Sequence, residues 1–171
     1  EVKRDDPLGN ALRAEEAEYR HQIAKLGKAP DRKEWWMTPQ TVNAVQLPLQ
    51  NAMNSPAAIL EAPFFDPKAD DAANYGSIGA VIGHEVSHGF DNLGSEFDAD
   101  GRLKNWWTKE DAAHFKAATD KLVAQYDAYE ALPGLKLSGK QTLGENIADV
   151  AGLQAAYTAY HTSLDGKPAP V

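Results

Sequence analysis

The stretch from Val81 to Phe90 constrains this chain more than any other, because it places two histidines one helical turn apart. Residues four apart lie on the same face of an α-helix, so His84 and His88 can present both imidazoles to one tetrahedral cation. Glu85 falls beside that cation, within reach of water in an open coordination position. Glu85 is therefore the candidate general base.

Apolar residues occupy the other sides of the same segment, namely Val81, Ile82, Val86 and Phe90. This pattern is typical of a buried helix, where two imidazoles and a carboxylate without partners would be costly. Chance spacing on a solvated helix face is the alternative, and the apolar flanks favour a metal site. We predict a helix from Asn74 to about Asp91. Its glycines, costly in a helix, indicate close packing against another backbone: Gly76, Gly79 and Gly83.

The composition of the chain argues against several classes of function. The 171 residues suffice for one domain with a real core, which at this size buries about 70% of the unfolded surface. The 17 basic and 25 acidic residues give a formal charge of −8 without a basic tract, which argues against a nucleic-acid partner. No apolar run reaches the ~18 residues that span a bilayer, and the first residues do not resemble a signal peptide. Because the chain has no cysteine, histidine and carboxylate must bind any zinc.

Three further helices are predicted from apolar periodicity and from their end signals. They span about residues 8–26, 108–132 and 142–164. Thr108, with Asp111 three residues later, forms a capping pair at the start of the second helix. In the third helix, Val150 and Tyr157 are among the residues expected to face inward.

Short apolar runs broken by prolines lie between residues 41 and 65. They predict strands near a sheet edge at about residues 42–47 and 57–60, where a missing N–H is tolerated. Such an edge beside the zinc helix can pair with an extended peptide, or the strands can form a plain structural hairpin. The residues alone leave these two interpretations equally open. The expected class is α+β, mainly α with a small β-sheet.

Two other stretches have distinctive residues, but we assign them no catalytic or metal-binding role. Trp35 and Trp36 are expected to fill the edge of the core. The loop that begins at Glu96 resembles the start of a calcium-binding loop, with Asp98 and acidic neighbours. Trp107 stands where the closing glutamate of such a loop is required, so an EF-hand is rejected.

A catalytic zinc usually has three protein ligands and one position for water, so a third ligand is needed. His21, His114 and His161 stand alone on predicted helices and are expected to be surface residues. Glu145 and Asp149 are four residues apart and share one helical face. One can bind the metal, and the other can accept the free N–H of an imidazole.

Glu145 has a competing interpretation. With Thr142 it matches the capping box, in which its carboxylate only satisfies the N-cap amide of its own helix. Caps are far commoner than metal sites, so this motif alone favours the cap. The presence of a histidine pair that lacks a third ligand favours Glu145 as that ligand.

Further motifs lie along nearly the whole chain: Trp35-Trp36-Met37-Thr38-Pro39-Gln40-Thr41-Val42-Asn43-Ala44, Pro56-Ala57-Ala58-Ile59-Leu60, Pro63-Phe64-Phe65, Asn74-Tyr75-Gly76, Trp106-Trp107 and Leu143-Gly144-Glu145-Asn146-Ile147-Ala148-Asp149. Together with the zinc helix, and in this order, they resemble the neprilysin-like zinc endopeptidases, a gluzincin family. The chain has none of the cysteines that animal members carry, which indicates a bacterial member.

The resemblance implies a thermolysin-like zincin catalytic core, mostly helical with a small sheet. It implies one Zn²⁺ bound by His84, His88 and Glu145. Glu85 would then be the base that activates the zinc-bound water. Two further carboxylates would lie behind the ligands: Asp149, bonded to His84, and Asp91.

The resemblance also implies a substrate and a location. Asn43 and Ala44 would hold the backbone of an oligopeptide along the edge strand, which favours the substrate-binding interpretation of that strand. Members of the family are extracytoplasmic and cut oligopeptides on the amino side of apolar residues. Val45-Gln46, where aromatic residues are usual, and Ser55, where a large apolar residue is usual, depart from the family pattern.

The family's catalytic domain continues to a histidine and an arginine that bind substrate and stabilise the transition state, and these are expected beyond Val171. The family's large helical domain, which encloses the active site, has no counterpart in these residues. We therefore expect residues 1–171 to form a single partial domain, with the remainder of the parent protein as its partner.

Three functions follow from these observations. The first is a zinc endopeptidase core, in which Glu85 activates the attacking water. The second is a zinc-binding portion of such an enzyme with little or no turnover by itself. The third, a helical interaction domain without metal, requires both zinc motifs to be accidental.

Overall fold

The computed structural model describes residues 1–170, which divide into two compact units, Glu1–Arg32 and a second unit that begins at Lys33. The second unit contains β1 (Val45–Leu47), β2 (Ala52–Asn54), a 3-10 turn (Ala57–Leu60), α2 (Asp71–Asn74), a π-helical turn (Tyr75–Gly79), α3 (Ala80–Ser87), another 3-10 turn (Gly94–Glu96), α4 (Lys109–Asp127), β3 (Glu130–Leu132), β4 (Leu135–Lys136) and α5 (Leu143–Ser163). The predicted class is confirmed: the fold is mainly helical with small antiparallel strand pairs. No described helix is both long and apolar enough to span a membrane.

The first unit is built around helix α1, Pro7–Ile23, which confirms the first predicted helix. Pro7 stands at the first helical position, where its fixed φ suits the helix and its missing N–H costs nothing. Asp6 caps the helix by accepting a hydrogen bond from the Gly9 N–H at 2.9 Å. Gly27, with φ +74°, lies in the turns that end it.

The first predicted strand forms in part, as β1, but it pairs with the unpredicted β2, and the second predicted strand does not form. Strands β1 and β2 pair antiparallel, with Gln46 opposite Met53. Residues 57–60 form a 3-10 turn instead, in which the Ile59 N–H donates to the Pro56 carbonyl at 3.3 Å. Proline has a fixed φ that suits a helical turn, and it donates no N–H to a ladder. Among the described residues β1 pairs with β2 alone, so its other edge is open.

A second hairpin follows α4, at a place where the sequence predicted only the end of a helix. Helix α4 begins as predicted, with the Asp111 N–H donating to the Thr108 hydroxyl at 3.0 Å. It ends at Asp127, earlier than predicted, and β3 and β4 then pair around Pro133 and Gly134. Gly134 has φ +79°, a conformation that suits such a tight turn and that glycine adopts without strain.

The predicted zinc helix is present, with shifted ends. Elements α2, the π turn and α3 follow one another without a break from Asp71 to Ser87. The helix ends before Asp91 because tighter bonds, from the Gly89 N–H to the Val86 carbonyl and from the Phe90 N–H to the Ser87 carbonyl, replace the α-helical pattern.

Helix α3 packs against α5 through small residues rather than large ones. The buried apolar positions of α5 are Ala148, Gly152 and Ala156. Val150 and Tyr157, expected to face inward, are exposed. Gly83 of α3 faces Gly152, so the close backbone packing predicted from the glycines is confirmed at this position.

Two other predictions of burial were wrong for the described residues. Trp35 and Trp36 are 59% and 67% exposed, because the segment that carries them forms no helix or strand and leaves both indoles at the surface. Val86 and Phe90 are also more than half exposed. The core beneath the site is a small cluster of Ala44, Ile59 and Ile78, against which Phe64 and Val81 pack.

Candidate metal centre

Three side chains from two helices converge in the second unit. The Nε2 atoms of His84 and His88 are 3.0 Å apart. Glu145 Oε2 lies 3.3 Å from the first and 3.6 Å from the second. Ligand atoms placed tetrahedrally about 2.0–2.1 Å from one zinc ion are roughly 3.3–3.4 Å apart. The three observed separations therefore fit a zinc site.

The other ring nitrogens are held by carboxylates. Asp149 Oδ1 lies 2.8 Å from His84 Nδ1, and Asp91 Oδ2 lies 2.7 Å from His88 Nδ1. A neutral ring that donates its Nδ1–H to such a carboxylate carries its lone pair on Nε2. With both rings in that tautomer, two lone pairs and the Glu145 carboxylate face one point. A cation stabilises such an arrangement.

The two supporting carboxylates differ in how firmly they are held. Asp91 is only 4% exposed, and its Oδ1 accepts hydrogen bonds from the backbone N–H groups of Leu93 and Gly94, both at 2.7 Å. Asp149 projects from α5 and remains largely exposed. The position of His88 is therefore fixed by its own loop, whereas that of His84 depends on how α5 is placed.

The competing capping box at the start of α5 is not formed. Thr142 makes no side-chain capping bond. Its hydroxyl donates to the Ser138 carbonyl at 3.2 Å and accepts from the buried Asn146 side chain at 2.8 Å. The Glu145 carboxylate is turned away from its own helix, towards the histidines.

A cleft of about 410 Å³ opens beside these groups. Glu85 lines it and is only 7% exposed. Within residues 1–170 its carboxylate forms no hydrogen bond or ion pair, so it is available to accept a proton. The cleft thus brings together the predicted site residues Asn43, Ala44, His84, Glu85, His88, Asp91 and Glu145.

The structure adds residues that sequence reasoning missed. Val45 and Gln46 continue the cleft along β1 from Asn43 and Ala44, and their place on the predicted edge strand was a usable signal. Pro48, just after the strand, also lines the cleft. Leu93 and Gly94 also line the cleft, through the turn that Asp91 holds. No local signal could have found these two, because a side-chain bond to the turn puts them there.

Among the described residues, His84, His88 and Glu145 are the group of three whose ligand atoms lie within 4.8 Å of one another. The three predicted surface histidines, His21, His114 and His161, are not part of this group. His161, for example, packs against the ring of Tyr157 at 4.3 Å between centroids.

Comparisons with family models, protein sequences and solved structures all identify the same family of proteins. Residues 43–171 match the model of peptidase family M13. Mouse endothelin-converting enzyme 1 is 46% identical over 151 residues, which are 88% of this chain and 20% of that protein. A putative zinc metalloproteinase of Streptococcus gordonii is 42% identical over 91% of this chain and 28% of its own length.

The crystal structure of the Mycobacterium tuberculosis zinc metalloprotease Zmp1 in complex with an inhibitor superposes with a TM-score of 0.93 at 51% identity. The match covers 99% of this chain and 27% of Zmp1. The chain thus spans between a fifth and somewhat more than a quarter of the length of these relatives. On the family model, these identities and the shared structure, the chain belongs to peptidase family M13, the neprilysin family of zinc metalloproteases.

Proposed function

We propose that this chain is the zinc-binding part of an endopeptidase that hydrolyses oligopeptides, and that residues 1–171 form one partial catalytic domain. The observation that carries the proposal is the convergence of two imidazole Nε2 atoms and one carboxylate beside a cleft with a buried, unpaired Glu85. His84, His88 and Glu145 would hold one Zn²⁺.

Zn²⁺ bound by this set would supply Lewis acidity, which acidifies nearby water and polarises a peptide carbonyl. Glu85 accepts a proton from that water, and the water oxygen forms a bond to the carbonyl carbon. The protonated Glu85 then delivers the proton to the amide nitrogen as the C–N bond breaks. Asp149 and Asp91 hold the two Nδ1–H groups, which keeps both Nε2 lone pairs directed at the metal position.

The substrate would lie along the open edge of β1. Asn43 and Ala44 line the cleft immediately before this strand, and an extended peptide can add to a free edge through main-chain hydrogen bonds. The Asn43 amide offers both a donor and an acceptor to such a backbone. From the family resemblance we also propose that the substrate has an apolar residue after the scissile bond and that the protein is extracytoplasmic.

A second function, a zinc-binding portion with feeble turnover, is favoured by the charge of the cleft. Its charged lining residues are the carboxylates of Glu85, Asp91 and Glu145, beside two histidines. Among the described residues, no lysine or arginine lines the cleft to stabilise a developing oxyanion. Losing one oxyanion donor typically costs about 10²–10³ in turnover. We therefore expect the chain to bind zinc and to turn over slowly.

The test uses a quenched fluorescent peptide with an apolar residue after the scissile bond, and a full-length family member as positive control. Glu85→Gln should retain zinc and abolish cleavage, since the amide cannot accept the proton. Metal analysis of the chain purified without added zinc separates both zinc functions from a metal-free interaction domain. A chain with no bound metal and no affinity for zinc would refute the proposal.

A further inference from the structure

Helices α3 and α5 touch backbone to backbone at Gly83 and Gly152. A methyl group on Gly83 would lie 2.6 Å from the Gly152 carbonyl oxygen and 2.8 Å from its Cα. A methyl group on Gly152 would lie 2.8 Å from the Ala80 carbonyl oxygen and closer still to the His84 backbone nitrogen. Ordinary van der Waals contact begins at 3.4 Å. Backbone atoms cannot rotate away, so a side chain at either position must separate the helices.

This contact lies next to the candidate metal centre. Gly83 directly precedes His84, and Gly152 is about one turn from Asp149 and two turns from Glu145 along α5. Hydrogen bonds along α5 make it a stiff rod, so a displacement at Gly152 moves both carboxylates. The 2.8 Å bond between Asp149 and His84 breaks if the helices separate appreciably.

We propose that the Gly83–Gly152 contact sets the distance between the histidines of α3 and the carboxylates of α5. Both glycines are then positioning residues for metal binding, although neither contributes a ligand. The inference rests on the proposed function, because it takes His84, His88 and Glu145 as the zinc ligands. It extends that function by naming what holds ligands from two separate helices at a common point.

The experiment compares the zinc affinity of the parent chain with that of Gly152→Ala and Gly83→Ala, by competition with a chromophoric chelator. Gly76→Ala is the matched control, because a methyl group there meets no atom within 4 Å. We expect the two contact variants to lose about 10–100-fold in affinity, the range for loss of an outer-shell partner. Gly76→Ala should bind zinc like the parent chain.

A second readout is the visible absorption of Co²⁺ bound in place of zinc, which reports the number and type of ligands. The spectrum should change in Gly152→Ala and stay unchanged in Gly76→Ala. A merely structural glycine would lower the melting temperature but leave the affinity and the Co²⁺ spectrum of the folded protein unchanged. That result in a Gly152→Ala protein folded by circular dichroism would overturn the proposal.

If Gly152→Ala does not fold, Gly83→Ala becomes the decisive variant, with the same two readouts. Its methyl group would lie 2.6 Å from the Gly152 carbonyl oxygen, so it separates the same two backbones from the other helix. Weakened zinc binding by the folded variant supports the spacer role, and parental affinity overturns it. A parent chain without zinc affinity overturns the proposed function as well. A parent chain that binds zinc, with variants of equal affinity, overturns only the spacer role.

Discussion

The loop around Asp98 and the first turns of α5 both carry carboxylates at spacings that match known motifs, and they use them differently. Asp98 Oδ1 accepts hydrogen bonds from the backbone N–H groups of Asp100 and Arg102 at 2.9 and 3.1 Å. The carboxylate is thus occupied by its own loop. Glu145 and Asp149 instead lie against the imidazoles of another helix.

This difference shows what turns a carboxylate into a candidate ligand. In both stretches a local partner was available: the loop amides for Asp98 and the N-cap amide for Glu145. Only at α5 does a second element bring nitrogen atoms within reach. The following predictions remove one side-chain group at a time from the two regions. They separate a carboxylate's long-range role, contact with the histidines of another helix, from its local role, hydrogen bonding within its own loop or helix.

The largest effect is expected at Glu145. Glu145→Ala leaves two imidazoles as the only protein ligands, so zinc affinity should fall by more than the ~10–100-fold typical of an outer-shell loss. Glu145→Gln is the matched control, because glutamine serves equally well in a capping box but is a poor zinc ligand. Both variants should lose zinc in a chelator competition. Parental affinity in Glu145→Gln would mean that the residue acts only on its helix.

The next largest effect is expected at Asp149. Asp149→Ala removes the acceptor of the His84 Nδ1–H and should weaken zinc binding by about 10–100-fold. Asp149→Asn keeps an oxygen that can accept the same N–H, so its loss should be smaller. The measurement is again chelator competition, with circular dichroism to verify folding. Equal affinities in all three proteins would remove Asp149 from the site.

A smaller effect is expected at Asn43, on peptide binding rather than metal binding. Asn43→Ala should weaken a zinc-directed peptide inhibitor by about 3–10-fold, the equivalent of one or two lost hydrogen bonds. Its zinc content should match that of the parent chain. Val42→Ala, at the preceding exposed position outside the cleft, serves as the control. Unchanged inhibitor affinity in Asn43→Ala would remove this residue from the substrate site.

The smallest effect is expected at Asp98, where only the local role operates. Donation by the Arg102 N–H, the largest cause, together with that of Asp100, lowers the pKa of Asp98 despite partial desolvation. A carboxyl group whose pKa is lower in the folded state stabilises the fold above its unfolded pKa, about 3.9. That contribution disappears as the pH falls through the folded pKa.

Asp98→Asn should therefore melt slightly below the parent chain at neutral pH, and the difference should shrink as the pH falls below about 4. Its zinc affinity should be parental, in contrast to Glu145→Gln. A loss of zinc in Asp98→Asn would show that the loop and the metal centre are coupled.

Local signals in the sequence were sufficient for several elements whose deciding partner lies within a few residues. The caps at Thr108 and the stop at Gly27 depend on neighbours in the chain, and α1 and the start of α4 lie where they were predicted. The predicted strand at residues 57–60 failed because its formation would require a distant pairing partner, while Pro56 favours a turn on the spot.

The sequence by itself determined the family, the mainly helical class and the residues capable of metal chemistry, because the histidine pair and the acidic pair are each a local i, i+4 pattern. It could not choose between the cap and the histidines as partners of Glu145. Only the tertiary structure decided that, since His84 and Asp149 are 65 residues apart along the chain. Their meeting depends on two helices that approach at Gly83 and Gly152, where the absence of side chains permits backbone contact.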